Sequence, residues 1–583
     1  YITQPGTYRA DLQICGIDYK TNEVEVTGSV TPTTSWKSNE EQIVYASDAA
    51  TNDNFGYSIA IDGNYAIVGA PYEDTGADNG GCVYMYTRNT STGVWGSEQR
   101  ITASNAGNND YFGISVSISG DYAIVGANGE NSASGSVYIY KRDLSTGLWG
   151  SEQIIVASDT QTVDEFGFSV SISGDYAIVG ARTEDTGATD TGAAYIYTRN
   201  SSTGVWGSEQ KIQASDKQAS DQYGYSVSIS SDYAIVGTFL EDAGGTDAGA
   251  VYIYNKLNAI TSYTVRITST QLGTSSTGTG NFDITPSDGA VTLRNWGDSP
   301  SSGDLGAPLW DNASWVSLQV YADGTIILAG ETLTTYIVGG SPATFYECGS
   351  GLGGTNFHVA ITIVSRTTSN SEIAWGSEQK ILSSDIEAGD RFGCSVSLSG
   401  DYLIVGAQGE DVGGSDAGAA YIYTRDPSTG VWGSEQKLTA SDREANDNFG
   451  NSVSISGDYA IVGARTEDTG GSNAGAAYIF KRDGTTWSEI KKIQASDAGT
   501  NDQFGWSVSL SGDYVIVGAK DEAKGGTNAG AAYIYEITPV AGLTFDNYNQ
   551  LSLTNTPTYT SSKLAYYSNV YDVGTLTDKL FID

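Results

Sequence analysis

The chain has 583 residues, with 29 basic and 69 acidic side chains and a formal net charge of −40. Since clustered Lys and Arg bind phosphates, this balance makes nucleic acid and anionic membranes improbable partners. No stretch of about 18 apolar residues occurs, so we expect no membrane insertion. Abundant Gly, Ser, Thr, Tyr and Val with few prolines favour many short strands joined by tight turns.

Residues 1–32 come first and read as a partial β module. The run YITQPGTYRADLQICGIDYKTNEVEVTG is typical of the last strands of such a module. It is too short to bury a core of its own. Because the chain begins with Tyr1 rather than Met, we expect it to be processed or to belong to a longer protein.

Internal repetition dominates residues 33–256 and 373–538. Each unit has a Trp-containing SEQKI segment, a Phe/Tyr-Gly step, a VGA run, an acidic Gly-rich loop and an AYIY run. The step occurs at seven places: Phe55-Gly56, Phe112-Gly113, Phe166-Gly167, Tyr223-Gly224, Phe392-Gly393, Phe449-Gly450 and Phe504-Gly505. Successive spacings are 57, 54, 57, 169, 57 and 55 residues, so the fourth unit contains an insertion.

Each unit predicts four strands. The first, such as Tyr225–Ser230, alternates bulky residues with serine, and the second, such as Tyr122–Gly126, is almost continuously apolar. The AYIY run and the Trp segment supply the third and fourth. Sheets that are buried on both faces need neighbours on both sides, and stacking around an axis provides them. The units therefore predict an all-β, seven-bladed β-propeller.

The ends of the repeat region predict how the ring closes. The last unit stops at residues 531–536 without a Trp strand, whereas Trp36 and Gln42–Ile43 supply a lone one near the N-terminus. That segment would complete the seventh blade and remove two unpaired sheet edges. The recurring tryptophans are interpreted as packing residues rather than as a ring for stacking a ligand.

Phe55-Gly56-Tyr57-Ser58 followed by Val68-Gly69-Ala70-Pro71 resembles the FG-GAP repeat of integrin α-subunit head domains. The resemblance covers residues 36–256 and 373–536, and it implies a seven-bladed propeller used in extracellular adhesion or recognition. Integrin propellers hold calcium in a DxDxDG-like loop between strands one and two. Here that connection is the short turn at residues 119–122, which offers one carboxylate, whereas calcium takes about six to eight oxygens. The family's calcium sites therefore do not carry over.

The loops between strands two and three, and the connections from strand four to the next blade, are acidic. Both emerge on one propeller face, which we expect to be strongly negative. Cation binding, including calcium, or docking of a basic partner is one interpretation. The favoured one is that Asp caps turns by accepting backbone N–H groups, and that the protein has no cofactor. The weak metal candidates are Asp74, Asp78, Asp185, Asp190, Asp242, Asp247, Asp411 and Asp416.

Residues 257–372 interrupt the fourth unit between its third and fourth strands, a hairpin position that tolerates an inserted domain. Strands are predicted at 263–267, 316–320, 325–328 and 359–363, which favours a small β-sandwich. This insert is a candidate recognition element. Residues 539–583 resemble the first strands of a β module, complementary to residues 1–32. The halves would pair within one chain, between neighbouring molecules as in a filament, or along a longer tandem chain.

Catalytic motifs are absent from the sequence, and we expect no enzyme. The single histidine, His358, lies in an apolar strand-like run, and the sequence has no GxSxG, P-loop, HExxH or Rossmann pattern. The four cysteines form no CxxC pair, and a disulfide between Cys82 and Cys394 is not expected because they fall on different blades. Sequons at Asn89, Asn200 and Asn312 are candidate glycosylation sites.

Taken together, these features predict a secreted or surface-exposed structural or scaffolding protein without enzymatic activity. It would be a unit of a surface filament, an appendage or a virion coat that pairs with copies of itself or continues as a longer tandem chain. The alternative is an integrin-like adhesion propeller with a protein or glycan ligand.

Overall fold

Four-stranded antiparallel sheets repeat along the chain in its computed structural model. The structure describes the backbone of residues 40–271, residue 75 excepted, and of residues 357–539, together with short strands within 6–36 and 277–348. Side chains are described for residues 40–256 and 375–536, apart from residues 75, 97 and 377.

Each blade follows one strand order, with neighbours hydrogen-bonded in chain order. The first strands are Ser58–Asp62, Ser115–Ser119, Ser169–Ser173, Ser226–Ile229, Phe392–Ser399, Phe449–Ser456 and Phe504–Ser511. The second are Tyr65–Ala70, Tyr122–Ala127, Tyr176–Ala181, Tyr233–Thr238, Tyr402–Ala407, Tyr459–Ala464 and Tyr514–Ala519. The third are Cys82–Arg88, Ser136–Arg142, Ala193–Arg199, Ala250–Gln271, Ala419–Arg425, Ala476–Asp483 and Ala531–Pro539. The fourth are Trp95–Ile101, Trp149–Ile155, Trp206–Ile212, Phe357–Ile381, Trp432–Leu438 and Thr486–Ile493, and Gln42–Val44 completes blade 7.

The ring closes through the N-terminal strand. Gln42–Val44 pairs antiparallel with Ala531–Pro539, and Thr34–Trp36 extends the same pairing. Neighbouring blades are also joined by an isolated parallel bridge from a glycine before the third strand of one blade to the aromatic residue of the next Phe/Tyr-Gly step. The seven bridges are Gly81–Phe112, Gly135–Phe166, Gly192–Tyr223, Gly249–Phe392, Gly418–Phe449, Gly475–Phe504 and Gly530–Phe55. The predicted seven-bladed propeller is confirmed.

The Phe/Tyr-Gly step and the VGA run meet at every blade interface. A Cβ at Gly126, in the VGA run of blade 2, would overlap the carbonyl oxygen of Gly167, which belongs to the step of blade 3. Gly167 has φ +91°, which L side chains rarely adopt. The aromatic residue of each step is fully buried and packs edge-on against third-strand aromatic residues, as Phe166 does against Tyr195 at 5.4 Å. Both glycines are therefore required for the blades to approach.

Serines of the first strands tie the inner part of the ring together. Ser115 donates its hydroxyl to the Gly167 carbonyl of the next blade at 2.7 Å, and Ser117 accepts the Ile172 amide at 3.2 Å. The equivalent serine–glycine bond closes the ring from Ser507 to Gly56 at 2.8 Å. Small hydroxyl side chains fit the narrow space near the axis and satisfy backbone groups there.

The tryptophans are buried at the outer edge of the interfaces. Trp206 is 4 % exposed and packs edge-on against Tyr122 of the preceding blade, with ring centroids 5.9 Å apart. The side chain of Gln153 brackets its backbone, accepting from Trp206 N at 3.0 Å and donating to Trp206 O at 2.7 Å. The same clamp joins Gln42 to Trp95 across the closing interface. This geometry supports the packing interpretation of the tryptophans.

The two faces of the disc differ. We call the face with the loops between strands two and three, and with the connections between blades, the loop face. The opposite face, with the turns between strands one and two and between strands three and four, is the turn face. On the turn face, Arg199 at the end of a third strand pairs with Asp175 and lies 4.7 Å above the Tyr122 ring of the preceding blade. Equivalent stacked cations recur in other blades.

The insert and the terminal strands continue from the turn face. In blade 4 the paired strands Ala250–Gln271 and Phe357–Ile381 run on beyond the blade as one long hairpin. In blade 7, Thr34–Trp36 pairs with the end of Ala531–Pro539, so both chain segments leave the ring together. The other strands are Gly6–Tyr8, Asp11–Ile14, Ile17–Lys20, Val24–Val26, Thr277–Ile284, Val291–Leu293, Val316–Val320, Ile326–Leu328, Glu331–Leu333 and Thr344–Cys348.

Helix is almost absent from the part of the chain that the structure describes. One four-residue turn is assigned at Glu130–Ala133, with Asn131 and Ser132 at positive φ. Within the same residues, no helix has the length and apolar character needed to cross a bilayer. The predicted sandwich packing of the insert lies outside the described contacts, although strands are present at all four predicted places.

Gly126→Ala tests the approach between blades. The added methyl group would overlap backbone atoms of the next blade, so we expect a loss of about 2–3 kcal/mol in the free energy of unfolding, measured in urea. Gly150→Ala is the matched control, because Gly150 has no atom within 4 Å of a built Cβ and no positive φ. Equal unfolding midpoints for the two variants would contradict the close backbone contact between Gly126 and Gly167.

Candidate functional site

The acidic loops of the loop face use their carboxylates to fold themselves. The first aspartate of a loop accepts the backbone N–H five residues on: Asp185 from Asp190 at 2.8 Å, Asp242 from Asp247 at 2.9 Å and Asp411 from Asp416 at 2.8 Å. The residue that donates has positive φ, near 52–56°. These are the capping contacts that the turn interpretation predicts.

Blade 1 differs in one detail from the sequence-based pairing. Asp74 accepts the backbone N–H of Asn79 at 2.7 Å, so Asn79 is the counterpart of Asp190. Asp78 lies one residue earlier, and its backbone N–H is bonded to Asn108 at 3.2 Å. Among the described residues, no group of three or more His, Cys, Asp or Glu is arranged to hold a metal ion. Calcium binding at the eight candidates stays a prediction that titration would test.

A buried glutamate precedes the first aspartate in these loops and, in five blades, is neutralised by a lysine or arginine of the same blade. Glu184 is fully buried, and Lys211 of the fourth strand reaches it at 2.8 Å and Asp159 at 2.6 Å. Tyr195 donates to Asp159 at 2.9 Å. The glutamates with this role are Glu73, Glu184, Glu241, Glu410 and Glu467, paired with Arg100, Lys211, Lys380, Lys437 and Lys492.

Burial and pairing shift the pKa values of this network in opposite directions. Burial alone would raise the pKa of Asp159, but hydrogen bonds from Lys211 and Tyr195 outweigh it and the pKa is lowered. Asp164 accepts the Gln161 N–H at 2.6 Å, and burial raises its pKa to about 6. Burial likewise raises the pKa values of Asp221, Asp390 and Asp447 to about 6. The second carboxylate of each connection is thus a turn cap.

Two blades depart from this network. In blade 2, Ile154 stands in the lysine position and Asn105 in the aspartate position, and Asn105 donates to Glu130 at 2.7 Å. In blade 7, Ile43 stands in the lysine position, and Tyr45 donates to Asp497 at 3.0 Å. Loss of the cation in blade 2 is therefore matched by loss of one carboxylate.

The centre of the loop face breaks the repeat. We call it the central mouth, and it is formed by the residues directly before and after each Phe/Tyr-Gly step and the one or two residues after each VGA-type run. The residues after the step are Tyr57, Ile114, Phe168, Tyr225, Cys394, Asn451 and Trp506. After the runs stand Pro71, Asn128, Arg182, Phe239, Gln408, Arg465 and Lys520. Variation here contrasts with the near identity of the strands beside it.

Aromatic rings of four blades pack around the central mouth. Tyr57 and Trp506 have centroids 5.4 Å apart, and Phe168 and Tyr225 lie 5.2 Å apart. Phe239 lies 3.9 Å from Tyr225. All five side chains are half-buried. A half-buried aromatic ring with a polar edge is a common ligand-contact group.

Cations of three blades lie on these rings. The Arg182 guanidinium is 3.8 Å from the centre of Phe168, and Arg465 and Lys520 lie 4.8 Å and 4.3 Å from that of Trp506. Arg182 bonds Glu165 at 2.5 Å and Lys520 bonds Asp521 at 2.7 Å. Neither Arg465 nor the exposed Arg391 forms an ion pair with a side chain that the structure describes.

Burial and the neighbouring arginines shift the pKa values of Tyr225 and Arg465 in the central mouth. Burial raises the pKa of Tyr225, and Arg182, Arg465 and Arg391 act against that rise. Burial lowers the pKa of Arg465, with Arg391 adding to the effect. The Arg182 guanidinium lies 5.8 Å from the centre of the Tyr225 ring.

The remaining predicted site residues lie elsewhere. Asn89 and Asn200 occupy exposed turns between strands three and four, where each side-chain oxygen accepts two backbone N–H groups. Asn312 lies outside the described residues. Cys82 and Cys394 are free thiols buried in different blades. Glycosylation stays a prediction.

Sequence reasoning missed both the lysine network and the central mouth. The lysine recurs in the SEQKI segment, but its carboxylates lie 27 and 52 residues away in the chain, as Glu184 and Asp159 do from Lys211. The central mouth is visible in the sequence only as positions at which aligned repeats disagree.

Comparisons with known proteins agree with the repeat count. The model of the FG-GAP repeat matches residues 38–86, 95–140, 149–197, 206–254, 375–423, 432–480 and 487–535. Among curated proteins, no relative is found.

Two solved structures are similar to the chain at low identity. One is the acylaminoacyl peptidase of Pyrococcus horikoshii, at 9 % identity and TM-score 0.33, covering 80 % of this chain and 49 % of that one. This chain thus spans about half of the peptidase. The other is the β-propeller domain of the Trilobed protease from Pyrococcus furiosus, at 10 % identity and TM-score 0.30, covering 79 % of this chain and 90 % of that one.

Lys211→Ile tests the lysine network. Removing the cation leaves the buried Glu184 beside Asp159, so we expect a loss of about 3 kcal/mol in the free energy of unfolding. Lys211→Ile with Asp159→Asn reproduces the arrangement of blade 2 and should recover at least part of that loss. Lys141→Ile, at an exposed site with the same charge change, is the control. Identical melting temperatures for Lys211→Ile and Lys141→Ile would refute the network.

Protein stability should rise as pH falls from 7 to 5. A folded pKa raised from 3.8 to about 6 at Asp164 contributes stability that is complete below pH 3.8 and is lost as pH rises through 6. The lowered pKa of Asp159 acts oppositely, and its contribution is lost only below its ordinary range. We therefore expect the highest melting temperature between these limits.

Asp164→Asn should raise the unfolding free energy at pH 7 by about 1–2 kcal/mol and reduce the gain between pH 7 and 5. Asp143→Asn, at an exposed turn-face carboxylate, is the control and should leave that gain unchanged. A melting temperature for the parent protein that falls steadily from pH 7 to 5 would contradict this assignment.

Proposed function

Because the chain belongs to the FG-GAP repeat family, through seven repeats that cover more than half of its residues, we propose that it is a non-enzymatic extracellular recognition scaffold. The central mouth binds the ligand, while the turn face carries the insert and the terminal segments. The observation behind this proposal is the break in the repeat at the centre of the loop face. The first and second strands beside it are nearly identical from blade to blade, whereas here the side chains differ.

The polarity of the disc supports this role. The long hairpin of blade 4 and the paired strands of blade 7 both continue from the turn face. Attachments on that side leave the described part of the loop face accessible. Rigid blades with variable residues at loop ends are a common way to present a binding site.

The chemistry of the described residues favours binding over catalysis. The repeated carboxylates are engaged by lysines and by backbone N–H groups, as for Glu184 and Asp164. Both side chains are buried, whereas glycoside hydrolysis requires two carboxylates that face the substrate. A glycoside turned over by the protein, with turnover abolished by a single Asp substitution, would refute the non-enzymatic assignment.

The extracellular assignment has two supports. FG-GAP repeats are typical of extracellular proteins. In addition, the sequon residues Asn89 and Asn200 lie in exposed turns. Intact mass before and after glycosidase treatment tests whether these asparagines are modified in the protein from its natural source.

A second candidate function is that of a structural unit in a filament, appendage or virion coat. It is favoured by the adjacent exit of Thr34–Trp36 and Ala531–Pro539 from blade 7, which brings complementary terminal segments to one place. Electron microscopy over a range of concentrations separates the two candidates. Rods with a regular axial repeat support the structural unit, and isolated discs at every concentration contradict it.

The recognition function predicts that binding depends on the central mouth. On an array of defined glycans and purified extracellular proteins, we expect any ligand of the full chain to lose about tenfold or more in affinity with Trp506→Ala. Arg482→Gln, at a stacked arginine of the turn face, should bind as the parent does. Melting temperatures confirm that both variants fold. Binding that survives Trp506→Ala but is lost with Arg482→Gln would contradict the assignment of the loop face.

A further inference from the structure

Arg465 and Arg391 hold uncompensated positive charge in the central mouth. Arg465 is half-buried, and its guanidinium donates a long hydrogen bond of 3.4 Å to the side-chain oxygen of Asn448. Neither guanidinium forms an ion pair with any side chain within the described ranges. Partial burial of an unpaired cation costs free energy, which an anionic ligand would offset.

This arrangement is unusual within the molecule. On the turn face, the arginines that stack on a ring are paired with a carboxylate, as Arg482 is with Asp458 while lying 4.6 Å from the Tyr402 ring. Arg465 has the equivalent stacking on Trp506 but Asn448 in place of an acid. Contact with the ring holds the guanidinium in place, and its N–H groups other than the one bonded to Asn448 can donate to a carboxylate.

The surroundings restrict which anion can enter. The candidate aspartates of the acidic loops, such as Asp185, Asp242 and Asp411, are exposed on the same face. Together with the net charge of −40, they repel a polyanion. A ligand with one negative group at its end and an otherwise neutral structure can contact the arginines of the central mouth without being repelled by the surrounding aspartates.

The rest of the central mouth suits a sugar ring. Tyr57 and Tyr225 present phenols beside Trp506 and Phe168, so hydrogen-bonding groups alternate with apolar ring surface. A pyranose offers the same alternation of hydroxyl groups and C–H faces. We propose that the central mouth binds the carboxylate of a single acidic sugar at the end of an otherwise neutral glycan, with Arg465 and Arg391 as its carboxylate receptors. This inference rests on the proposed recognition function.

An acidic peptide is the less suitable ligand. Acidic segments of proteins carry several charges and peptide carbonyls, and both would face the exposed aspartates around the mouth. A terminal sugar acid places its one charge at the centre and turns neutral hydroxyl groups toward the rim.

Calorimetry with the full chain and small probes tests the inference. We expect methyl β-D-glucuronide to bind about tenfold or more tightly than methyl β-D-glucoside, which has a hydroxymethyl group in place of the carboxylate. N-acetylglutamate amide supplies a carboxylate without a sugar ring and should bind about as weakly as the glucoside. Equal affinity for glucuronide and glucoside would overturn the inference, as would tighter binding of the glutamate derivative.

Two variants locate the site. Arg465→Gln should weaken glucuronide binding about tenfold, and Arg391→Gln, at an exposed position that carries little folding risk, should weaken it in the same direction. Arg482→Gln removes a stacked arginine from the turn face and should leave the affinity unchanged. Glucuronide affinity that is insensitive to both mouth variants overturns the inference.

The two proposals fail separately. If array ligands lose affinity with Trp506→Ala but glucuronide binds no better than glucoside, the recognition function stands and the acidic-sugar inference falls. If array ligands lose affinity with Arg482→Gln but not with Trp506→Ala, the proposed recognition site is wrong. The effects of Arg465→Gln and Arg391→Gln on glucuronide affinity then decide the acidic-sugar inference by themselves.

Discussion

Close approach of two glycine backbones at each blade interface is the constraint on which the ring depends. The VGA glycine of one blade lies against the Phe/Tyr-Gly step of the next, from Gly69 with Gly113 round to Gly518 with Gly56. A side chain at either place would push the sheets apart, and the serine hydroxyls, parallel bridges and glutamine clamps all require the resulting spacing. The repeat is therefore most uniform where its backbone is most crowded.

Pairing of buried carboxylates with cations is the second feature that organises this acidic chain. Its loop-face glutamates are buried, and a fourth-strand cation, lysine in four blades and Arg100 in the first, neutralises each of five of them. Blade 2 shows that the arrangement is coupled, since Ile154 and Asn105 replace cation and carboxylate together. Against that background of internal compensation, the half-buried Arg465 of the central mouth stands without a carboxylate partner among the described side chains.

The disc also separates two roles by face. Turn-face hairpins can be lengthened without disturbing a blade, because their strands already point away from the ring, and blade 4 does this with its long hairpin. Loop-face connections pack against the next blade through capped turns such as that of Asp164. Variation on the loop face is therefore confined to the ends of strands near the axis, where side chains meet across the opening rather than within an interface.

The sequence by itself determined the repeat, the four strands of each unit, the closing strand at residues 42–44 and the capping role of the loop aspartates. These are local patterns: alternation of serine with bulky residues, glycine where φ is positive, and Asp close to the amide that it caps. Tertiary structure alone decided that Lys211 neutralises Glu184 and Asp159, and that Arg182 and Arg465 lie on the Phe168 and Trp506 rings of the central mouth. Those groups come from different strands and blades, and only closure of the ring fixes the distances between them.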